Sequence, residues 1–296
     1  MPRFSANLGF LWPDRPLLDR IDAAAAAGFR AVELHWPYDV PAAAVRARCE
    51  AHGLALLGVN TSRGREGEFG LGALPGREAE FQAAVDQAVA WCAEAGGSAV
   101  HCMAGVTGDA DPEAARATFV ANLSEASRKA EPHGLTLLLE PINPVDAPGY
   151  FYSTVDEGAA VIEAVGLGNL RLMFDCYHVG MVGQDVVATL RRYLPLVGHI
   201  QFASVPGRAE PDAGELAYGA VFRAVDALGY AGWVGAEYLP RGATDAGLGW
   251  MTAGEAPAAV SLMITRRQKE ELRALGFADE AIREMKPAEA HRHLGL

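Results

Sequence analysis

Cysteine is scarce in this 296-residue chain, basic charge is in deficit and long apolar runs are missing. The four cysteines, Cys49, Cys92, Cys102 and Cys176, form no CxxC pair. That excludes a disulfide-stapled scaffold and a cysteine-rich zinc module, and predicts free thiols in a reducing cytoplasm. No apolar stretch reaches the roughly 18 residues of a membrane span, and the opening Met-Pro-Arg-Phe-Ser-Ala-Asn offers no apolar signal region. A soluble, cytoplasmic protein is expected. Lys and Arg number 25 against 37 Asp and Glu, a net charge of −12. Residues 261–296 hold seven of those bases and six of the acids, so the negative excess belongs to the first 260. Phosphate backbones and anionic membranes are bound through Lys and Arg. Nucleic acid and membrane are therefore poor partners, and a small molecule is the expected ligand. Homo-oligomerisation is left open by the sequence. Neither GxGxxG nor a P-loop occurs, so dinucleotide and nucleotide-triphosphate folds lack their phosphate-binding turn.

What is present is one recurring rhythm: an Ala-rich amphipathic helix, a glycine, then a short continuous apolar run. Ala23 to Leu34, Trp91 to Cys102 and Asp226 to Tyr238 all show it. Glycine after the last helical turn supplies the left-handed cap that reverses the chain. Unbroken apolar runs predict strands covered on both faces, as in parallel sheets. Asp111-Pro112-Glu113 reads as N-cap, first helical position and acid of the first turn. Counted this way, eight strands end near Leu8, His35, Asn60, Met103, Glu140, Asp175, Gln201 and Glu237. Eight strand–helix units in about 250 residues predict an α/β fold, a closed (β/α)8 TIM barrel over residues 1–251. Residues 252–260 read as a linker. Residues 261–296 read as a short helical C-terminal extension, too small for its own core.

Four polar residues stand where apolar strands end: Glu140, Asp175, Gln201 and Glu237. By this count they belong to strands five to eight, and the C-terminal strand ends of such barrels carry catalytic groups. Taken singly, an acid in such a place is commonly a helix N-cap or half of an ion pair. Three carboxylates converging over one core repel each other unless a cation sits among them. An all-oxygen set favours one hard divalent ion, Mg2+ or Mn2+. Arg208, in the loop after strand seven, is suited to a substrate carboxylate, or is a plain surface arginine. Glu33, in Val-Glu-Leu-His, points from strand two towards the same mouth, as a hydrogen-bond acceptor behind the site's inner residues or as half of an ion pair with a neighbouring barrel residue. Asn60 to Gly72 reads as a closing loop or as surface variation. Phe10 and Trp12 either wall the pocket or cover the mouth, and His101 and His199 read as structural or solvated.

The runs SANL (5–8), PGREAEF (75–81), LLLEPIN (137–143), FDCYH (174–178), GHIQ (198–201), EPDAGE (210–215) and GWVGAEY (232–238) occur in order. Across about residues 3–251 the chain resembles the hydroxypyruvate isomerase family of xylose-isomerase-like barrels. The resemblance implies metal ligands at Glu140, Asp175, Gln201 and Glu237, with Glu140 and Glu237 doubling as catalytic acid and base. It further implies a substrate hydrogen bond from His178, whose alternative is a satisfied core histidine; Arg208, Glu33 and Asn7 complete the candidate substrate-binding residues. Ketose epimerases resemble one another in having histidine where Gln201 stands. The chain departs from the family in Arg208-Ala209-Glu210-Pro211-Asp212-Ala213-Gly214, where Arg-His-Glu-Pro-Gly-Thr-Gly is usual, and lacks a histidine near Asn60. Both departures line the substrate mouth and bear on substrate choice.

The expected activity is therefore interconversion of hydroxypyruvate and tartronate semialdehyde through an enediolate. Nearby alternatives on the same site are 2-oxo-tetronate isomerisation and ketose 3-epimerisation. A DNA endonuclease-like phosphodiesterase would need a basic face and a His-rich multi-metal site. A non-catalytic sugar-binding barrel would not need paired acid and base.

Overall fold

The computed structural model describes residues 1–253, 264 and 266–294. Among them the apolar runs form nine strands: β1 Arg3–Asn7, β2 Ala31–Glu33, β3 Ala55–Leu56, β4 Gly58–Asn60, β5 Ala99–His101, β6 Thr136–Leu139, β7 Leu170–Asp175, β8 Val197–Phe202 and β9 Trp233–Ala236. Every ladder between them is parallel. The sheet runs β3-β2-β1-β9-β8-β7-β6-β5-β4. The stave expected to end at Asn60 is split at Leu57, so β3 pairs with β2 while β4 pairs with β5. Leu34 N–H donates to Gly58 O and Asn60 N–H to His35 O, at 2.9 and 2.8 Å, carrying the ladder across the seam. Eight staves thus close into the expected barrel. Gly58 makes the seam tight, since a Cβ there would stand 2.8 Å from the Ala99 carbonyl oxygen.

The helices follow from the signals that predicted them. Asp111 caps Pro112–Ala130 by accepting from Ala114 N–H. Helix Glu78–Ala95 buries Phe81, Ala84, Val85, Ala88, Val89 and Cys92, a stripe of helical period against the barrel. A capping box between Thr154 and Glu157 starts helix Val155–Val165. All four cysteines are free and buried. Among the described residues no helix is long and apolar enough to cross a membrane.

The chain divides into two units, Met1–Trp250 and Met251–Leu296. In the second, helices Arg266–Ala274, Asp279–Glu284 and Pro287–Leu294 gather Leu272, Ile282 and Ala290, with Phe277, Met285 and Leu294 against them. The extension therefore has a small apolar cluster of its own, contrary to the expectation from its size. Of the expected linker, Thr252 and Ala253 lie in the short helix Trp250–Ala253 and 254–260 fall outside the described residues.

The barrel interior is not filled by the bulky branched residues usual in this architecture. Its middle carries Ser5, Gly58, Ala99 and Gly235, and Ala99, Leu138 and Met173 form a small apolar cluster. A chamber of about 450 Å³ results. It extends from Thr136, Arg171 and Trp233 at the strand starts to Glu33, His199 and Gln201 near the strand ends.

Candidate active site

The expected strand-end residues all face the C-terminal mouth region and all are buried: Glu140, Asp175, Gln201 and Glu237 expose 6, 2, 2 and 5% of their surface. Asp175 and Gln201 are register partners on β7 and β8, so their side chains start level. Asp175 does two things at once. Its Oδ1 accepts from Tyr177 N–H at 2.8 Å, capping helix Cys176–Met181, while its Oδ2 is buried without a hydrogen-bond partner. That helix starts immediately after β7, so His178, three residues on, returns over Asp175. Nε2 of His178 lies 3.7 Å from Asp175 Oδ2 and 3.5 Å from Glu140 Oε1. Glu140, Asp175 and His178 thereby bring ligand-type atoms within 4.8 Å of one another.

The grouping differs from the expected set of four. Glu237 is turned aside: its Oε1 accepts from Asn7 Nδ2 and pairs with His35 Nε2, both at 2.9 Å, and its Oε2 lies 3.2 Å from Arg208 Nη2. His178 stands in the cluster instead, but its tautomer argues for a donor. Asn143 Oδ1 accepts from Val145 and Asp146 N–H, which fixes that amide and aims its Nδ2 at His178 Nδ1, 2.7 Å away. Asn143 N–H donates to the same nitrogen at 3.3 Å. With Nδ1 accepting, the ring proton belongs on Nε2, which faces the carboxylates. Burial, with the Arg208 charge nearby, holds His178 well below the ordinary histidine range and so neutral.

The acids are electrostatically unequal. Burial, then the charges of Glu237 and Asp175, push Glu140 well above the usual carboxylate range. Burial and Glu237 likewise push Asp175 up to about 7. For Glu237 burial works in the same direction but is outweighed by the His35 hydrogen bond and the Arg208 charge, which bring it down to about 2. Glu140 Oε1, Asp175 Oδ2 and Gln201 Oε1 are all buried with no hydrogen-bond partner. Such oxygens cost about 1–3 kcal/mol each when left unpaired, and a divalent cation is a group that can satisfy several carboxylate and amide oxygens together. The donor set fits a hard ion.

Arg208 sits at the mouth with its guanidinium between two rings, 5.1 Å from the Phe10 centroid and 4.9 Å from that of Tyr177. It pairs with Asp146 at 2.9 Å, and Asp146 also accepts from Tyr177 Oη at 3.0 Å. The side chain is 19% exposed, so the plain surface arginine is ruled out. Its backbone is in the left-handed region at φ 48°, anchored by Arg208 N–H to Ser204 O and Leu239 N–H to Arg208 O. Glu33 is turned inward, taken by Ser5, His199 and Gln201. Asn7 spends its amide on Glu237 and on Gly9 N–H.

Two histidines of this layer escaped the sequence reading. His35 holds Glu237, and its ring meets Phe10 edge-on at 5.0 Å. His101, read as structural or solvated, is 2% exposed with Nδ1 3.6 Å from Glu140 Oε2 and Nε2 unpartnered. Strand alternation was the available signal: His35 is two beyond Glu33, and His101 two beyond the interior Ala99. His199, read the same way, is buried against Glu33. Phe10 walls the mouth, whereas Trp12 is buried on Phe29 and hydrogen-bonded to Asp245, a cover rather than a wall.

The chain is 48% identical over 254 residues to a 2-oxo-tetronate isomerase of Cupriavidus necator, covering 85% of this chain and 98% of the relative. It is 35% identical over 254 residues to a hydroxypyruvate isomerase of Escherichia coli, with the same coverage. A solved structure described as AP endonuclease, family 2, from Brucella melitensis superposes with a TM-score of 0.83 at 38% identity, covering 85% of this chain and 98% of that one. Residues 21–254 match the profile of the xylose isomerase-like TIM barrels, and the chain belongs to that family.

Proposed function

We propose that the protein is a metal-dependent isomerase of a short hydroxy-keto acid, moving a carbonyl between adjacent carbons. The observation that carries the reading is the pair Glu140 and Glu237, two buried carboxylates, one with an oxygen left unpartnered and the other held at both oxygens by Asn7, His35 and Arg208. Unequal partners of this kind are what proton removal at one carbon and proton return at the next require. Glu140, Asp175 and Gln201, each with an unpartnered oxygen, are the residues that would hold the ion, Mg2+ or Mn2+, with Glu237 as fourth once it leaves its present partners; the ion would supply Lewis-acid polarisation of the substrate oxygens. One glutamate takes the proton from the hydroxyl-bearing carbon and the other delivers one to the former carbonyl carbon, while the hydroxyl proton passes to the former carbonyl oxygen. The electron pair passes through an enediolate, and no oxidant is consumed. His178 donates Nε2–H to a substrate oxygen, and Arg208 receives the carboxylate.

Both named relatives act on 2-oxo acids by name. The higher identity to the 2-oxo-tetronate isomerase favours a four-carbon substrate ahead of hydroxypyruvate, reversing the order expected above. Ketose 3-epimerisation loses ground because Arg208 has no role toward a neutral sugar. Phosphodiester cleavage finds no support in the −12 charge.

Turnover on hydroxy-carbonyl compounds of two to six carbons, each with and without a carboxylate, tests the assignment. Activity confined to acids is expected, and equal turnover of neutral ketoses would overturn it. Arg208→Ala should raise KM for acids about tenfold or more, the worth of a charge-assisted pair. An equal effect on neutral compounds would reduce Arg208 to a loop-shaping residue.

A further inference from the structure

A glutamine is an ambiguous ligand, because its oxygen and nitrogen ends have the same shape while one accepts and the other only donates. For Gln201 to serve a cation, the amide must be held one way round. We infer that Glu33 is the residue that holds it, a positioning residue for the site rather than a substrate contact. The inference rests on the metal reading given above.

Gln201 Nε2 donates to Glu33 Oε2 at 2.8 Å, and Gln201 Oε1 is left buried with no hydrogen-bond partner. A carboxylate can only accept. Reversing the amide would set two oxygens against each other and spend the nitrogen on the side where acids gather. The free end beside Asp175, the register partner of Gln201, is therefore fixed as oxygen.

Glu33 is itself built into place. Ser5 Oγ donates to its Oε1 at 3.0 Å, and His199 Nε2 stands 3.0 Å from its Oε2. Gly235 clears the space: a Cβ there would stand 2.0 Å from Glu33 Oε1 and 3.0 Å from His199 Nε2. Asn7, the register partner of Glu33, continues the same layer to Glu237. All of these side chains are buried, on the interior face of the barrel. Glu33 has hydrogen bonds to none of Glu140, Asp175 and Glu237; its charge is felt by Glu140 directly, whereas its hold on ligand orientation passes through Gln201.

The test is Mn2+ binding to metal-stripped full-length protein by titration calorimetry, with Glu33→Gln made in the wild type and in Gln201→Ala. Loss of a group that orients a ligand costs about 10- to 100-fold in metal affinity. Kd should rise by that factor in the wild-type background. In Gln201→Ala the same change should alter Kd less than about threefold, since coupled partners are not additive. An unchanged Kd in Glu33→Gln overturns the inference. So does an equal rise in both backgrounds, which would mean that the lost charge acts at a distance. Failure of the wild type to bind Mn2+ would instead remove the metal reading beneath it. If circular dichroism shows Glu33→Gln unfolded, Glu33→Asp keeps the charge but withdraws it by one methylene. The same two backgrounds then decide: a rise in Kd confined to the wild type supports the inference, and no rise or an equal one overturns it.

Discussion

Glu140→Gln and Glu237→Gln are each expected to lower kcat by about 10^2-fold or more, the usual scale of a general acid or base. Each change keeps the side-chain shape and one oxygen while removing the capacity to carry a proton. The cost corresponds to about 2.7 kcal/mol of activation free energy. Their electrostatic inequality predicts distinct roles, and hydrogen exchange in D2O separates them. With substrate supplied from one side of the reaction, one variant should wash its carbon-bound hydrogen into solvent without isomerising, because abstraction survives and redelivery does not. The other should do neither. Supplying the opposite isomer should exchange the two behaviours, by microscopic reversibility. If wild-type product carried no solvent deuterium at all, hydrogen would be passing directly between carbons, and both proton-transfer roles would fall.

Removal of the metal is the second large effect. Chelation should abolish turnover, and Mg2+ or Mn2+ should restore it, because the unpartnered atoms of the cluster are oxygens. Full turnover in a demonstrably metal-free preparation would end the metal hypothesis. The raised acids add a pH signature. Asp175, lifted from 3.8 to about 7, and Glu140, lifted well above its ordinary value, hold protons in the metal-free protein that a bound cation must displace. Metal affinity should therefore fall as pH drops below about 7, and calorimetric enthalpies should depend on the buffer's own ionisation heat. The same sign governs stability without metal. The native state binds the Asp175 proton more tightly than the unfolded chain does. That contribution is present below about pH 4 and is lost as pH rises toward 7. Asp175→Asn should weaken metal binding and remove this slope. A variant that kept the wild-type pH dependence would place the titrating group elsewhere.

Much of the architecture was legible because its causes are local. Continuous apolar runs, glycine after each helix and the Asp111-Pro112 start all act within a turn or two of themselves, so eight staves and their order could be counted from the chain. The strand-end acids were legible for the same reason, since a polar residue closing an apolar run marks the barrel mouth. The third stave misled by one detail. Its split at Leu57 accompanies a change of partner, from β2 to β5, where Gly58 lies against Ala99 forty-one residues away, a pairing invisible to any local pattern. The extension misled by another, because three short helices can share Leu272, Ile282 and Ala290 where size alone argued against a core.

By itself the sequence determined that a parallel barrel would form and that Glu140, Asp175, Gln201 and Glu237 would stand at or near the C-terminal ends of its strands. Tertiary structure decided what each of them faces. Asn7 reaches Glu237 across 230 positions, His35 reaches it across 202, and Gln201 meets Glu33 across 168. Those contacts exist only once the first staves lie against the last. Whether Glu33 looks outward to substrate or inward to Gln201, and whether His178 donates or ligates, depends on partners that barrel closure supplies. Periodicity fixes which face of a strand a residue occupies. The identity and protonation of its neighbours are set by packing, where burial, a hydrogen bond and nearby charges can move a carboxyl from the ordinary range to about 7 or to about 2.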